Sequence, residues 1–168
     1  ITSQGILLLR YFPTPYLKRL LISDLVQRCL KGLYFQSPSQ GHGSFFSADD
    51  RALLSDLAKF AIPVFWVDGV SHQILKYVPR PGKDSGMFVP KERVDEFIHA
   101  TFFGIYGSNL LEGDFELELR RLLEGVQHLR DIANHPLLHP GKPIAMVTGG
   151  GPGAMEVGNR IAVSLSIL

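Results

Sequence analysis

A glycine run in this chain directly follows an apolar segment and directly precedes a segment with helical character. The run is Gly149-Gly150-Gly151-Pro152-Gly153, with the apolar residues 144–147 before it and Ala154-Met155-Glu156 after it. Phosphate must approach backbone N–H groups closely, and glycine has no Cβ to block it or to forbid the required dihedral angles. The free N–H groups and the dipole at the start of a helix then favour an anion. The sequence therefore predicts a phosphate-binding loop between a buried strand and a helix.

The segments upstream of the loop have the order that such a fold needs. Residues 100–106 have the apolar pattern of a strand, and the residues after Asp114, the expected N-cap, have helical spacing. The predicted buried side of this helix carries Phe115, Leu119, Leu122, Leu123, Val126 and Leu129. A strand, a helical crossover and a parallel strand form a βαβ unit. We predict that residues 100–168 begin an α/β, Rossmann-like parallel sheet flanked by helices and incomplete at the C-terminus.

The sequence pattern of residues 1–99 predicts a smaller α/β region of unknown role. A strand is expected at residues 5–10, a helix at 15–33 and a polar loop at 36–44. Ser47 is the expected cap of a second helix, whose predicted buried stripe is Leu53, Leu54, Leu57 and Phe60. Strands at 62–67 and 73–78 flank an Asp68-Gly69 turn, which favours a hairpin. A loop at 79–86 and a short helix after Pro90 complete this region.

Composition and charge exclude several classes of function. The formal net charge is +1 with no basic block, so we expect no nucleic-acid partner. A single cysteine, Cys29, fits a reducing compartment, and no apolar run has membrane-spanning length. The six histidines have no metal-ligand spacing, so we expect neither a metal nor a cofactor. These features predict a cytoplasmic protein that contacts no membrane. The chain begins with Ile1 rather than Met, and residues 162–168 stop on apolar side chains with no Gly or Pro, so we predict a piece of a longer protein.

The glycine loop and its neighbours resemble a known family. Residues Val147-Thr148-Gly149-Gly150-Gly151-Pro152-Gly153-Ala154-Met155-Glu156, with Asn159, Arg160 and Ala162, resemble the first signature of LOG-type proteins. These are nucleoside 5′-monophosphate phosphoribohydrolases that activate cytokinins and are often mislabelled lysine decarboxylases. The match is close over about sixteen residues and extends weakly to Thr101-Phe102-Phe103-Gly104. Residues 1–99 have no recognised counterpart.

Two departures limit what the resemblance implies. The family usually continues directly after the first strand with a polar loop, whereas here the polar residues follow two positions later, at Gly107, Ser108 and Asn109. The second signature of the family, Pro-Gly-Gly-x-Gly-Thr with a following glutamate, does not occur in these 168 residues. That glutamate and an upstream arginine carry the cleavage in the family, so no catalytic residue is assigned. We expect the 168-residue chain alone not to release base from AMP.

The resemblance implies nucleotide binding by Thr148 to Glu156 and by the loop at 107–109. In the full-length protein, hydrolysis of the N-glycosidic bond would give free base and ribose 5-phosphate. The resemblance and the expected exposed sheet edge also imply a homo-oligomer. Individual roles stay open: Glu156 contacts a ribose hydroxyl or pairs with Arg160, and Thr148 donates to phosphate or is structural. In the N-terminal region, Arg80, Lys83 and Ser85 either close over a phosphate or are ordinary loop residues.

Three other interpretations of the glycine loop stay open. The glycines could serve only a tight turn. The loop could belong to a non-catalytic nucleotide sensor. It could also bind NAD(P), because Gly149, Gly151 and Ala154 match the Gly-x-Gly-x-x-Ala dinucleotide fingerprint. The acidic residue expected about 20 positions further on falls outside this sequence.

Overall fold

The structure is a computed structural model that describes residues 4–38, 46–83 and 85–168. The chain forms two compact units. The first unit is Ile1–Val94 and the second is Asp95–Leu168. Both contain strands and helices, so the chain is of the α/β class. Among the helices of the described ranges, none has the length and apolarity to cross a bilayer.

The first unit contains one mixed sheet of five strands. Its elements are β1 (Gly5–Tyr11), α1 (Lys18–Leu21), α2 (Asp24–Cys29), β2 (Leu30–Ser37), α3 (Ala48–Lys59), β3 (Val64–Asp68), β4 (Gln73–Pro79) and β5 (Gly86–Pro90). The strands lie in the order β1-β2-β3-β4-β5. β1, β2 and β3 are parallel, whereas β4 and β5 add as antiparallel neighbours. This sheet has more strands than the two-stranded sheet of the second unit.

The predicted helix at 15–33 was too long. A short 3₁₀ turn at Pro15–Leu17 leads into α1 and α2, and the chain then enters β2 at Leu30. Leu33 and Phe35 are fully buried within this strand. Gly32 also lies in this strand, where a Cβ would come within 3.2 Å of the Phe65 ring. Pairing with β1 and β3 therefore overrides the local helical spacing. Gln36 and Ser37 belong to this strand, and the rest of the predicted loop lies partly outside the described residues.

The cap predicted for α3 was confirmed. The Ser47 N–H donates to Asp50 Oδ2 at 2.8 Å, and the Asp50 N–H donates to Ser47 Oγ at 3.1 Å. This reciprocal capping box satisfies two N–H groups that the first helical turn leaves without partners. The α3 residues Leu53, Leu54 and Leu57 are buried as predicted, but Phe60 was placed wrongly and is 44% exposed. It is the C-cap residue, directly after the last helical residue, Lys59.

The predicted hairpin was also confirmed. β3 and β4 pair antiparallel around the turn that begins at Asp68. The Asp68 carboxylate accepts hydrogen bonds from the N–H groups of Val70 at 3.1 Å and Ser71 at 3.2 Å. It also accepts a hydrogen bond from the Ser71 hydroxyl. These hydrogen bonds, above all that from the Ser71 hydroxyl, lower the pKa of Asp68. β5 was not predicted, because residues 86–90 are few and lie between Pro/Gly-rich residues and a helix-starting proline.

The second unit contains a two-stranded parallel sheet. Helix α4 (Val94–His99) begins at the last residue of the first unit. It is followed by β6 (Thr101–Ile105), α5 (Phe115–Ile132), β7 (Ile144–Thr148) and α6 (Ala154–Ser164). β6 and β7 pair in parallel with Thr101 opposite Ile144, which confirms the βαβ unit. On the opposite edge of β7, the Leu168 N–H donates to the Ile144 carbonyl at 3.0 Å. The Leu168 carbonyl accepts the Met146 N–H at 2.8 Å. This is the hydrogen-bond pattern of a parallel bridge.

The core of the second unit lies between its two long helices. It consists of Leu119 and Leu123 from α5 with Val157 and Ile161 from α6. The prediction for α5 was wrong at Leu122 and Leu129, which are 62% and 50% exposed. Asp114 occupies the N-cap position but makes no capping side-chain bond. Glu116 and Arg120 have the four-residue spacing of a helical ion pair, but Glu116 pairs with Arg160 and Arg120 with Glu124.

Candidate functional site

The two candidate loops meet at the start of α6. They follow β6 and β7, and neighbouring parallel strands place their carboxyl ends at one edge of the sheet. The Ala154 N–H donates to the Ser108 carbonyl at 3.2 Å. A Cβ on Gly107 would lie 2.7 Å from the Ala154 Cβ, so the loops are in close contact. The structure therefore brings together candidate residues from segments that are about 40 positions apart in the chain.

Gly153 is the point of closest approach between the two loops. Its backbone has φ +75° and ψ −125°. A Cβ there would lie 2.4 Å from the Asn109 Cα and 2.6 Å from the Ser108 carbonyl oxygen. Both the dihedral angles and the neighbouring backbone thus require glycine. Gly150 also has a positive φ, +70°, but a Cβ there would meet nothing within 4 Å.

The first turn of α6 offers backbone donors at this edge of the sheet. Its first intrahelical hydrogen bond runs from the Val157 N–H to the Gly153 carbonyl at 3.0 Å. Gly153 has no side chain to cap the helix. Within the described part of the chain, the N–H groups of Met155 and Glu156 donate to no backbone or capping acceptor. Such unsatisfied N–H groups at a helix start, with the helix dipole behind them, can donate hydrogen bonds to an anionic oxygen.

Thr148 connects the glycine loop to α6. Its Oγ donates to Asn159 Oδ1 at 3.0 Å and accepts the Gly150 N–H at 3.2 Å. A hydroxyl carries a single proton, so this arrangement uses the donor of Thr148 within the protein. These contacts are what the structural role of Thr148 requires, and its contact with a phosphate stays a prediction. The contact with Asn159, eleven residues away, could not be deduced from helical or strand spacing alone.

The Met155 side chain folds back over the glycine loop. A Cβ on Gly149 would lie 3.0 Å from the Met155 sulfur, and a Cβ on Gly151 would lie 2.6 Å from its terminal methyl group. Met155 is half-buried, whereas Pro152 is exposed. The lack of side chains at Gly149 and Gly151 therefore makes room for Met155. The sequence interpretation assigned this space to a ligand and did not anticipate the methionine.

An ion cluster lies one turn into α6. The Arg160 guanidinium is 2.8 Å from the Glu116 carboxylate and 3.9 Å from the Glu156 carboxylate. The hydrogen bond and charge of Glu116 raise the pKa of Arg160, with a smaller contribution from Glu156. The predicted pairing of Glu156 with Arg160 is therefore present in the structure. All three side chains are more than half exposed, so each pair contributes little to stability.

The basic loop of the N-terminal region forms a separate feature of the first unit. The Lys83 N–H donates to the Arg80 carbonyl at 3.2 Å, and the Arg80 N–H donates to the Ser85 carbonyl at 2.8 Å. Arg80 and Lys83 line a cavity of about 320 Å³ whose opposite wall is the end of α3. Ser85 is not among the residues of that wall. Nowhere in the described ranges do three or more His, Cys, Asp or Glu side chains form a group that could hold a metal ion.

Comparison with known proteins identified no relative of this chain. No protein-family model, curated protein or solved structure matches this chain.

Proposed function

We propose that residues 148–156 and 107–109 bind the phosphate group of a nucleoside 5′-monophosphate. The chain would be part of a LOG-type protein whose full-length form hydrolyses the N-glycosidic bond to base and ribose 5-phosphate. The observation that carries this proposal is the pair of backbone N–H groups at Met155 and Glu156, which open the helix beside the glycine loop. Phosphate binding at such helix starts needs no cationic side chain, because the oriented N–H groups supply the positive potential.

Arg160 reduces an unfavourable charge at the proposed site. The Glu156 carboxylate lies in the first turn of α6, where its charge would oppose a bound phosphate. Arg160 lies 3.9 Å from that carboxylate and offsets part of its charge. A phosphate oxygen at this site would contact the two N–H groups, and Arg160 would reduce its repulsion by the Glu156 carboxylate. Glu156 remains available for a ribose hydroxyl, since it is largely exposed.

The finer description of the fold is part of the proposal. We assign the second unit to a Rossmann-like domain because β6, α5 and β7 form a parallel βαβ unit with the glycine loop after β7. The bridge between Leu168 and β7 supports a third parallel strand at that edge. The proposed compartment is the cytoplasm, which fits the single free cysteine, Cys29.

A homo-oligomer completes the proposal. β1 is an edge strand of the five-stranded sheet, and its Ile6 and Leu8 side chains are 57% and 69% exposed. An exposed apolar edge strand favours association with another chain. Light scattering on the purified chain measures this directly, since an oligomer has a mass that is a multiple of 18.6 kDa.

A substitution at Gly150 tests the phosphate site. Gly150→Asp places a carboxylate in the loop without a clash, because a Cβ there meets nothing within 4 Å. We expect about a tenfold or greater loss of affinity for AMP and ribose 5-phosphate, owing to repulsion between like charges. Calorimetric titration of both ligands into the wild type and the variant measures this loss.

The matched control is Gly150→Asn. Asn and Asp have nearly the same size and both tolerate a positive φ, so the two variants differ mainly in charge. We expect the Asn variant to bind both ligands within about threefold of the wild type. A folded wild-type chain that binds neither AMP nor ribose 5-phosphate contradicts the proposal, as does equal binding by the Asp and Asn variants.

Thr148→Val tests how the loop is held. Valine keeps the shape of threonine but removes the hydroxyl that bonds to Asn159 and to the Gly150 N–H. A net hydrogen bond contributes about 1 kcal/mol, so loosening the loop should weaken AMP binding roughly fivefold. Thr148→Ser keeps the hydroxyl and should bind nearly as the wild type does. If the Val and Ser variants bind AMP equally, the hydroxyl does not position this loop.

A further inference from the structure

A cavity in the first unit is lined by cationic side chains from two segments that are far apart in the sequence. Arg80 and Lys83 lie in the loop between β4 and β5, and Lys59 is the last residue of α3. The cavity volume, about 320 Å³, is at the lower end of the range for small-molecule sites. No acidic residue is among the described lining residues, and Asp84, which follows Lys83, lies outside the described ranges. The described lining therefore carries only positive charge.

The carboxylates of the described residues neutralise only part of this charge. Within those residues, neither Arg80 nor Lys83 forms an ion pair. The Lys59 ammonium group lies 3.6 Å from one oxygen of the Asp56 carboxylate, whose other oxygen contacts Lys18. Asp56 is therefore shared between two lysines and balances only one of their charges. The remaining positive potential attracts an anion into the cavity.

Backbone hydrogen bonds hold the loop that carries two of the cations. The Lys83 N–H donates to the Arg80 carbonyl at 3.2 Å, and the Arg80 N–H donates to the Ser85 carbonyl at 2.8 Å. Gly82, between the two cations, has a φ of +70°, which favours glycine. A loop that is ordered before binding loses less conformational entropy when a ligand arrives. The backbone that presents Arg80 and Lys83 is therefore already arranged for binding.

The end of α3 is capped in a way that favours an anion beside it. A helix C-terminus carries partial negative charge on its last carbonyl groups, which would oppose an anion. Here the Ala61 N–H donates to the Ala58 carbonyl at 3.0 Å, and the Ile62 N–H donates to the Leu57 carbonyl at 2.9 Å. With Ala61 at a φ of 56°, this is the Schellman motif, which gives those carbonyls donors. The opposing potential is reduced, and the Lys59 charge lies at the same end of the helix.

We propose that this cavity is a second anion site, which binds a small phosphate monoester and uses no residue of the glycine loop. A phosphate monoester carries a charge of about −1.5 to −2 at neutral pH, so it matches several cations better than a carboxylate does. The planar guanidinium of Arg80 can donate to two phosphate oxygens at once. Ala58, Pro79 and Pro81 line the same cavity and offer apolar surface to a short carbon chain.

NMR titration of the full 168-residue chain tests this inference. The probe is glycerol 3-phosphate, a phosphate monoester with three carbons, and the readout is the amide chemical shifts of ¹⁵N-labelled protein. We expect saturable shifts at Ala58, Lys59, Gly82 and Lys83, with a Kd of about 1 mM. The amide of Gly150 reports separately on the glycine loop. A failure of the cavity site is therefore distinguishable from a failure of the proposed function.

Neutralising the loop cations should weaken this binding. In Arg80→Gln with Lys83→Gln, we expect the affinity to fall by about tenfold or more, because two charge-assisted hydrogen bonds are lost. The matched control is Arg28→Gln with Lys31→Gln. It makes the same two changes at exposed positions of the first unit that do not line the cavity. The control should bind glycerol 3-phosphate within about twofold of the wild type.

Glycerate, a carboxylate with the same three-carbon skeleton, tests the class of ligand. It carries a single negative charge, so we expect it to bind at least about fivefold more weakly than glycerol 3-phosphate. Equal binding of the two probes overturns the assignment to phosphate monoesters. Wild-type shifts at the cavity that do not saturate overturn the site itself, and so does equal affinity in the two double variants. If circular dichroism shows that the Arg80 and Lys83 double variant does not fold, Lys83→Gln alone should lose about threefold in affinity, and an unchanged affinity overturns the site.

Discussion

Gly153→Ala is expected to disrupt the start of α6 and to abolish phosphate binding. The backbone at Gly153 has φ +75° and ψ −125°, which side-chain-bearing residues adopt only at a cost of about 1–3 kcal/mol. The new Cβ would also lie 2.4 Å from the Asn109 Cα, and a backbone atom cannot swing aside as a side chain does. The two effects together should lower the free energy of unfolding of this unit by about 3 kcal/mol or more.

Amide hydrogen exchange measures this effect within the second unit. We expect the amides of α6 that follow the loop, beginning with Val157, to exchange much faster in the variant. Chemical denaturation followed by far-ultraviolet circular dichroism gives the accompanying loss of stability. AMP titration should show no binding, because the donors at Met155 and Glu156 depend on the position of the first turn.

Gly150→Ala is the control for Gly153→Ala. Gly150 also has a positive φ, +70°, but a Cβ there meets no atom within 4 Å. The cost should therefore be only the backbone term of about 1–2 kcal/mol. If the two alanine variants lose equal stability, the contact between Gly153 and the loop at 107–109 does not constrain the fold.

The elements of the second unit could be predicted because their signals are local. The strand at Ile144–Thr148, the glycine run and the helix after it are consecutive in the sequence, and each has its own pattern. The contact between the two loops could not be derived in this way, because it depends on the pairing of β6 with β7. For the same reason, the sequence suggested glycines that make room for a ligand, whereas the space at Gly151 is occupied by Met155.

The first unit was less predictable because long-range pairing determines its strands. Residues 30–33 continue the helical spacing of the preceding segment, but they lie in β2, between β1 and β3. The burial of Leu33 and Phe35 within that sheet outweighs the local preference. β5 is stabilised by its pairing with β4, and a five-residue segment carries little signal of its own. Phe60 was misplaced because helical spacing does not reveal where the helix ends, and Phe60 is its C-cap residue.

Phe35→Ala should destabilise the first unit more than any change at its surface. Phe35 is fully buried in β2 and packs edge-on against Phe12, with ring centres 5.1 Å apart. It also stacks on Trp66 at 6.1 Å. Removing a buried phenyl ring loses its transfer free energy and leaves a cavity, which together cost about 3–5 kcal/mol. Trp66 is the single tryptophan, so its fluorescence during urea denaturation reports the unfolding of this unit.

Phe60→Ala is the matched control, because it removes the same ring from a site that is 44% exposed. Only part of the ring leaves water on folding, so the loss should be about 1 kcal/mol or less. The helical spacing of Leu53, Leu57 and Phe60 predicted a fully buried ring, for which Phe60→Ala would cost as much as Phe35→Ala. A small effect at Phe60 beside a large one at Phe35 supports a core built on β2. Similar effects at both positions would instead place the end of α3 in the core.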